Sequence, residues 1–370
     1  QSVEEAFHHY SAFSDVTVPP TIGADPLYRY RNKMDFDFSA DRWLTPDEID
    51  TGKTFDTDFA LGLHVPGNFF KVLDLQECHL PAAITQRLLN GIRGFVKEHG
   101  WEPWDIRNHS GFLRHLVVRT GTNTGACMVN LVTYGYDRER MDAFAAFVQT
   151  HFPEVTTLIH TSHTGTSQNP EGEERTLFGP GVIHDPIGAY RFRISPSAFF
   201  QTNTTQAERL YSIARDAADL RPTDRVYDLY CGAGTIALFV SEHVQDVVGV
   251  EMNKAAIADA QANAALNDVS NCTFVEADSK QGLTDAFVAA HGQPDVLIVD
   301  PPRAGLHKDV VRQIAAVAPE RFVYVSCNPQ TQVRDLDRLA DQYRLDAVQP
   351  VDMFPHTPHI ETVARLTRRS

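Results

Sequence analysis

The chain has 370 residues, of which 42% are hydrophobic, and carries a formal net charge of -15 at pH 7. Its length allows two or three domains, and no run approaches the roughly 18 consecutive apolar residues that a membrane span needs. Five widely separated cysteines form neither a disulfide framework nor a paired zinc spacing, which is typical of a reducing cytoplasm. The acidic balance restricts nucleic-acid binding to a local basic patch.

The first segments predict a helix followed by a strand. Residues 2–14 have the apolar spacing of a short amphipathic helix, and alternation at 34–38 predicts a strand. Just before that strand, Arg29, Arg31 and Lys33 alternate with two tyrosines. Basic and aromatic groups mixed in this way can hold RNA phosphates and stack bases. A solvated edge strand is the alternative interpretation.

The next part of the chain predicts an α+β domain of its own. Residues 82–98 and 138–151 have the periodicity of helices. Between them, 113–118 and 126–132 favour strands. The polar stretch 161–175 is typical of an exposed loop.

From Arg225 the pattern becomes strand, glycine turn and helix, repeated as in a doubly wound parallel sheet. Gly232 and Gly234 allow a tight turn before a helix that we expect to begin near Thr235. Glu251 ends the next strand, 19 residues after Gly232, where it can accept hydrogen bonds from ribose hydroxyls. Because a third glycine is missing, the pattern favours S-adenosylmethionine over a dinucleotide. An NAD-type oxidoreductase and an α/β core without a ligand are the alternatives.

Titratable residues follow the later strands. Asp278 comes after the third strand, where it can contact an adenine or cap a helix. Asp300 precedes two prolines that hold it rigidly at the sheet edge. Cys327 lies where Asn328-Pro329 ends an apolar strand, although a free cysteine is often only a small buried hydrophobe. Glu361 begins the last predicted strand.

Five segments then identify a resemblance. They are Ser-Pro-Ser-Ala-Phe-Phe-Gln-Thr-Asn from residue 195, Asp-Leu-Tyr-Cys-Gly-Ala-Gly from 228, Asp-Pro-Pro-Arg-Ala-Gly from 300, Val-Ser-Cys-Asn-Pro from 325 and His-Ile-Glu-Thr-Val from 359. In this order they resemble the RNA (uracil-5-)-methyltransferases, which make 5-methyluridine in tRNA and rRNA. A methyltransferase that acts on base amino groups would carry an aromatic residue directly after the two prolines. This chain has Arg303 at that position.

The resemblance implies an α/β fold: a Rossmann-like class I methyltransferase domain (191–370), a smaller α+β RNA-binding domain (28–190), and an N-terminal helix and linker (1–27) packing on the catalytic domain. It implies that Cys327 is the nucleophile, that Glu361 is the base and that Asp300 lies in the reaction pocket. The implied residues of the methyl-donor site are Gln201, Tyr230, Gly232, Gly234, Thr235, Glu251, Asp278 and Asp300. Many family members have Asn where this chain has Thr235. RNA contacts are expected from Arg29, Arg31, Lys33 and Asp300.

The resemblance also bears on the RNA. Many rRNA-directed members carry an N-terminal TRAM domain and a four-iron, four-sulfur cluster held by four cysteines. Cys78 matches the last of these ligands, and the other three would lie before Gln1, so we expect a missing N-terminal piece. We therefore expect 23S rRNA as substrate, with tRNA or a non-catalytic RNA-binding module as alternatives. No metal site within this chain and no protein partner are predicted.

Overall fold

A computed structural model describes residues 2–168 and 170–369, and the chain divides into two compact units. One unit contains most of 28–185 together with 194–197. The other contains the residues up to 27, then 186–193, and the chain from 198 onwards.

The helices are α1 (Ser2–His8), α2 (Pro46–Asp50), α3 (Ala83–Glu98), α4 (Arg138–His151), α5 (Thr204–Ala218), α6 (Thr235–Ser241), α7 (Lys254–Leu266), α8 (Asp285–His291), α9 (Lys308–Val317) and α10 (Pro329–Asp337), with a 3-10 turn at Ser11–Phe13. The strands are β1 (Lys33–Ser39), β2 (Arg42–Trp43), β3 (Ala60–Val65), β4 (Asn68–Asp74), β5 (Leu113–Thr120), β6 (Cys127–Thr133), β7 (Thr157–Ser162), β8 (Glu173–Phe178), β9 (Ile183–Ile187), β10 (Tyr190–Ile194), β11 (Arg225–Leu229), β12 (Asp246–Glu251), β13 (Cys272–Glu276), β14 (Val296–Val299), β15 (Arg321–Ser326), β16 (Tyr343–Val351) and β17 (Glu361–Arg368).

The unit around 28–185 is built on an eight-stranded sheet in the order β2-β4-β3-β1-β5-β6-β7-β8. Alternate residues of β1, namely Met34, Phe36 and Phe38, share a buried core with apolar residues of α3 and α4. Apolar residues repeat every second position in the strand and about every 3.6 positions in the helices, so each element turns one apolar face to the shared core. Both predicted helices and the strands between them are confirmed.

Two local expectations were wrong. The predicted loop at 161–175 is shorter, because β7 continues to Ser162 and β8 begins at Glu173. β8 is an edge strand with exposed glutamates, so it has the polar composition of a loop. The helix expected at 2–14 ends at His8, and a 3-10 turn then brings Phe13 against Phe7 in the core.

The other unit is built on a seven-stranded sheet in the order β13-β12-β11-β14-β15-β17-β16. The pairs from β13 to β15 are parallel, whereas β17 runs antiparallel to both β15 and β16. All four residues of β14 are buried, as expected of a parallel strand covered on both faces. This is the predicted doubly wound α/β fold.

The antiparallel direction of β17 determines at which edge of the sheet its first residue lies. Parallel strands bring their carboxyl ends to one edge of a sheet, and that edge is where open α/β sheets bind ligands. Because β17 runs the other way, its first residue, Glu361, lies at the same edge as the end of β15. In the part of the chain that is described, no helix is long and apolar enough to cross a membrane.

Candidate active site

Cys327 and Glu361 are brought together by the register of two neighbouring strands. Antiparallel pairing of β15 with β17 ends with Ser326 opposite Thr362, so Cys327 follows this last pair on one chain segment and Glu361 precedes it on the other. The two side chains are close enough for the carboxyl of Glu361 to raise the pKa of the Cys327 thiol. The Thr362 hydroxyl fixes this register, since Oγ1 lies 3.2 Å from the Ser326 carbonyl oxygen and 2.8 Å from Oε1 of Gln332.

The chain turns sharply beside Cys327 because a helix begins there. Asn328 caps α10, its side chain accepting a hydrogen bond from the backbone N–H of Gln330 at 3.2 Å. Pro329 occupies the first helical position, where its missing N–H costs nothing. The hydroxyl of Ser326 accepts a hydrogen bond from the Asn328 N–H at 3.1 Å. The predicted strand end before Cys327 is therefore confirmed.

The loop after Asp300 supplies a cation. The side chains of Asn328 and Thr331 donate hydrogen bonds to the carbonyl oxygen of Arg303 at 3.1 and 3.2 Å. The guanidinium of Arg303 in turn lies 2.6 Å from Nδ1 of His359. Arg303 acts electrostatically on both the thiol and Glu361, lowering the pKa of each.

Burial dominates the titration of the three acidic groups. The pKa of the half-buried Cys327 thiol is raised by burial, and further by the nearby carboxyls of Glu361 and Asp300. Glu361 is only 5% exposed, and burial and Asp300 raise its pKa well above the ordinary value. Burial also raises the pKa of Asp300 to about 7. Burial therefore favours the protonated form of both the thiol and the carboxyl of Glu361.

A pocket opens at the carboxyl ends of β11 and β14. It encloses about 350 Å³, counting the open space at its mouth. Its walls include five residues expected at the methyl-donor site, namely Gln201, Tyr230, Gly232, Thr235 and Asp300. Phe199, which is 68% exposed, stands at the same pocket.

The predicted glycine turn forms one wall of this pocket. Tyr230 and Gly232 both have positive φ, and Gly234 caps the start of α6 with a φ of 78°. A Cβ atom at Gly234 would come within 2.9 Å of the Phe274 ring and 3.1 Å of Ala260. Glycine is thus required at 234 by both backbone conformation and space. The helix expected near Thr235 begins at that residue.

Glu251 and Asp278 lie at the ends of neighbouring strands but not among the residues that line this pocket. The Glu251 carboxylate accepts a hydrogen bond from the Asn253 N–H at 2.8 Å. Asp278 accepts one from the Lys280 N–H at 2.9 Å, which closes a turn and lowers the pKa of its carboxyl. Asp278 does not cap a helix, because α8 begins later and is capped by Thr284. Contacts of both acids with a donor remain predictions.

The basic residues Arg29, Arg31 and Lys33, just before and at the start of β1, have hydrogen-bond or ion-pair partners within the chain. Arg29 donates hydrogen bonds to the carbonyl oxygens of Cys78 and Pro81 at 2.8 and 3.2 Å, and Arg31 donates to that of Lys33 at 3.0 Å. The ammonium of Lys33 pairs with Asp35 at 2.9 Å, and burial lowers its pKa. Binding of RNA by these residues also remains a prediction.

Cys78 is half-buried against the apolar core of its unit. Within residues 2–168 and 170–369, no three His, Cys, Asp or Glu side chains are grouped so that they could hold a metal. The cysteines of this chain therefore do not fit an iron–sulfur cluster.

Sequence reasoning missed three residues of this site. Tyr211 has the spacing of a core residue of α5, yet it lines the pocket together with Thr235. Asp228 is fully buried in the pocket wall, and its only signal is a carboxyl inside an otherwise apolar strand. Arg303 was noted only as the residue after the prolines.

Comparison with known proteins identifies the family to which the chain is similar. The model of the tRNA (uracil-5-)-methyltransferase family matches residues 187–369. An uncharacterized RNA methyltransferase of Bacteroides thetaiotaomicron is 40% identical over 373 residues, covering 100% of this chain and 82% of that protein. One from Chlorobaculum tepidum is 40% identical over 374 residues, covering 100% of this chain and 77% of its own length.

A solved structure supports the same assignment. It is the tRNA (uracil-54, C5)-methyltransferase of Pyrococcus abyssi in complex with S-adenosyl-L-homocysteine, with a TM-score of 0.77 and 28% sequence identity. The match covers 99% of this chain and 82% of that one. With a matching family model, relatives at 40% identity and this structural likeness, the chain belongs to the S-adenosylmethionine-dependent RNA (uracil-5-)-methyltransferase family.

Proposed function

We propose that this chain methylates carbon 5 of a specific uridine in RNA through a covalent bond between Cys327 and carbon 6 of the uracil ring. The observation that carries the proposal is that Cys327 and Glu361 adjoin the last residue pair of β15 and β17, at the edge of the sheet where α/β folds bind ligands, and that Glu361 raises the pKa of the thiol. Asp300 and the donor pocket lie at the same edge.

The chemistry requires a nucleophile at Cys327. Carbon 5 of uracil is too weakly nucleophilic to take a methyl group directly. Addition of the Cys327 thiolate to carbon 6 places negative charge on carbon 5 and its neighbouring carbonyl oxygen. Arg303 favours the thiolate, because it lowers the pKa of a thiol that burial otherwise raises.

Glu361 completes the reaction as a base. After carbon 5 has gained its methyl group, Glu361 takes the proton from that carbon, the bond between carbon 6 and sulfur breaks, and the thiolate leaves. A carboxylate with a raised pKa is a stronger base than an ordinary one. The step needs the ionised form of Glu361, which burial disfavours.

The methyl group comes from S-adenosylmethionine, which supplies it as an electrophile when bound. Residues of the pocket suit this donor: Gln201, Tyr230, Thr235 and Asp300 offer polar side chains around its inner wall. Gly232 and Gly234 allow the backbone to approach it closely. We assign Glu251 to the ribose and Asp278 to the adenine.

We propose 23S rRNA as the substrate because Cys78 matches a ligand position found in rRNA-directed members. A second candidate is tRNA, favoured by the structural likeness to the Pyrococcus abyssi tRNA methyltransferase. In either case Arg29, Arg31 and Lys33 would contact the RNA beside the target uridine, and Asp300 the target base. The target base has to leave its stack to reach Cys327.

The test is methylation of unmodified 23S rRNA and tRNA transcripts with isotope-labelled S-adenosylmethionine, followed by nucleoside mass spectrometry. We expect labelled 5-methyluridine in one RNA and its loss with Cys327→Ala. Cys272→Ala is the matched control, because Cys272 begins β13 at the opposite edge of the sheet and its loss should leave activity unchanged. A methylated base other than 5-methyluridine, or full activity of Cys327→Ala, would contradict the proposal.

A further inference from the structure

Gln332 is a polar side chain on the buried side of α10. It is 0% exposed, and the neighbouring residues Val333 and Leu336 belong to the hydrophobic core. Its Nε2 donates a hydrogen bond to the carbonyl oxygen of Tyr324 at 2.8 Å, and its Oε1 accepts one from the hydroxyl of Thr362, also at 2.8 Å. Because a carbonyl oxygen can only accept, the amide has one orientation, in which both of its ends have a partner.

The two partners of Gln332 belong to the strands that carry the proposed nucleophile and base. Tyr324 lies in β15, which leads to Cys327. Thr362 is in β17 and directly follows Glu361. The Thr362 hydroxyl has one proton, and it lies closer to Gln332 than to the carbonyl oxygen at the end of β15, at 2.8 against 3.2 Å. Gln332 therefore connects both strands to one helix.

The same helix is also held by contacts that do not involve Gln332. Arg334 donates a hydrogen bond to a carbonyl oxygen of the loop after Asp300 at 2.9 Å. Asp335 accepts one from a backbone N–H of that loop at 2.7 Å and one from the hydroxyl of Tyr324 at 3.0 Å. α10 can therefore serve as the support from which Gln332 fixes β17.

We propose that Gln332 is a positioning residue, which holds the start of β17 through Thr362 and thereby keeps the carboxyl of Glu361 beside the thiol of Cys327. Its role in the reaction rests on the proposed function. A base works only within hydrogen-bond reach of the proton it removes, and a misplacement of about 1 Å can lower a rate about 10²-fold. Loss of this hydrogen bond should therefore slow removal of the carbon 5 proton more than transfer of the methyl group.

The first experiment uses the whole chain without RNA and measures alkylation of Cys327 by iodoacetamide as a function of pH. Burial raises the pKa of this thiol most, Glu361 and Asp300 raise it further, and Arg303 lowers it. Gln332→Met keeps a side chain of similar length but removes the amide. Because Glu361 is then held less closely, the thiol pKa should fall, and the profile should shift to lower pH in the same direction as with Glu361→Gln.

Further variants test whether the hydrogen bond is the cause. Thr362→Val removes its donor and should shift the profile as Gln332→Met does, and the double variant should shift it no further. Thr362→Ser keeps the hydroxyl and should retain the wild-type profile. Val333→Ala is the matched control, because it leaves a cavity on the core side of the same helix; it should lower the unfolding temperature without moving the profile. If Gln332→Met does not fold, the two Thr362 variants still decide.

The second experiment separates this inference from the proposed function. In a single turnover with the RNA transcript that the wild-type chain methylates, Gln332→Met should slow release of the covalent adduct about tenfold or more and formation of S-adenosylhomocysteine less than about twofold. Equal slowing of both steps would overturn the positioning role, as would a profile unmoved by Gln332→Met and Thr362→Val or one shifted by Val333→Ala. If the wild-type chain methylates neither 23S rRNA nor tRNA, the proposed function fails, whereas alkylation still tests how Glu361 is held.

Discussion

Cys327 and Glu361 both adjoin the last residue pair between β15 and β17, since Cys327 follows Ser326 and Glu361 precedes its partner Thr362. The strand that begins with Glu361 is antiparallel to the strand that leads to Cys327, so the proposed nucleophile and the proposed base reach the same edge of the sheet from opposite chain directions. Glu361 raises the pKa of the Cys327 thiol, which agrees with this closeness.

Glu361→Gln should separate the two halves of the reaction. Addition and methyl transfer do not need the base, whereas removal of the carbon 5 proton does. We expect a methylated covalent RNA adduct to accumulate on this variant with ordinary uridine, visible as a slower band on a denaturing gel. Turnover should fall by about 10²-fold or more. Normal turnover without any adduct would show that another group takes the proton.

The reactivity of Cys327 should depend on pH in a defined direction. Its pKa is raised, so the thiolate is scarce at neutral pH and its population grows as pH rises through and beyond about 8.5. Alkylation by iodoacetamide, followed at this residue by peptide mass spectrometry, should therefore accelerate with increasing pH.

Glu361→Gln should shift that alkylation profile to lower pH, because it removes a negative charge that raises the thiol pKa. Cys272 is an internal reference, since burial raises its pKa to about 12 and Glu361 is not among the groups that shift it. A shift to higher pH, or the same shift at Cys272, would contradict the electrostatic coupling.

Two glycines of the donor turn should differ in their tolerance of alanine. Gly234→Ala places a Cβ against the Phe274 ring as well as straining a positive φ, whereas Gly232→Ala meets nothing within 4 Å. We expect Gly232→Ala to cost about 1 kcal/mol of unfolding free energy through backbone strain alone. Gly234→Ala should cost more and should weaken donor binding. Thermal unfolding and calorimetry measure the two effects, and equal values for the two variants would be inconsistent with this geometry.

A buried ion pair should be important for the stability of the unit around the parallel sheet. Arg321 and Asp224 lie 2.8 Å apart, with side chains only 3% and 4% exposed. Removing one partner leaves a buried charge, so Arg321→Ala should lower the free energy of unfolding by about 3–5 kcal/mol.

The control for that variant is Arg138→Ala, from an ion pair whose side chains are 85% and 70% exposed. It should change stability by less than about 1 kcal/mol. Urea titration compares the two variants, and similar midpoints would contradict the predicted cost of the buried charge.

Local signals in the sequence were sufficient to predict where strands end. Asn328 and Pro329 stop the strand before Cys327, and two prolines stop the one before Asp300, so both side chains could be placed at the sheet edge. The helix at Thr235 followed from the glycines before it. These features depend on residues adjacent in the chain.

What the sequence did not reveal depends on partners far away in the chain. Tyr211 has the same spacing as a core residue, and only the fold brings it to the pocket beside Thr235. Likewise, the sequence places Glu361 only at the start of the last strand, and the pairing of β17 with β15 is what brings it beside the end of β15. The burial of Asp228 in the pocket wall is also set by residues distant from it in the sequence.

The most direct test of the covalent mechanism uses RNA in which the target uridine is replaced by 5-fluorouridine, incubated with the chain and S-adenosylmethionine. Glu361 cannot remove fluorine from carbon 5, so the account predicts a stable adduct whose mass includes the RNA and one methyl group. Peptide mapping should locate it at Cys327, and Cys327→Ala should abolish it. An adduct at another residue, or methylation of RNA by Cys327→Ala, would contradict the assignment of Cys327 as the nucleophile.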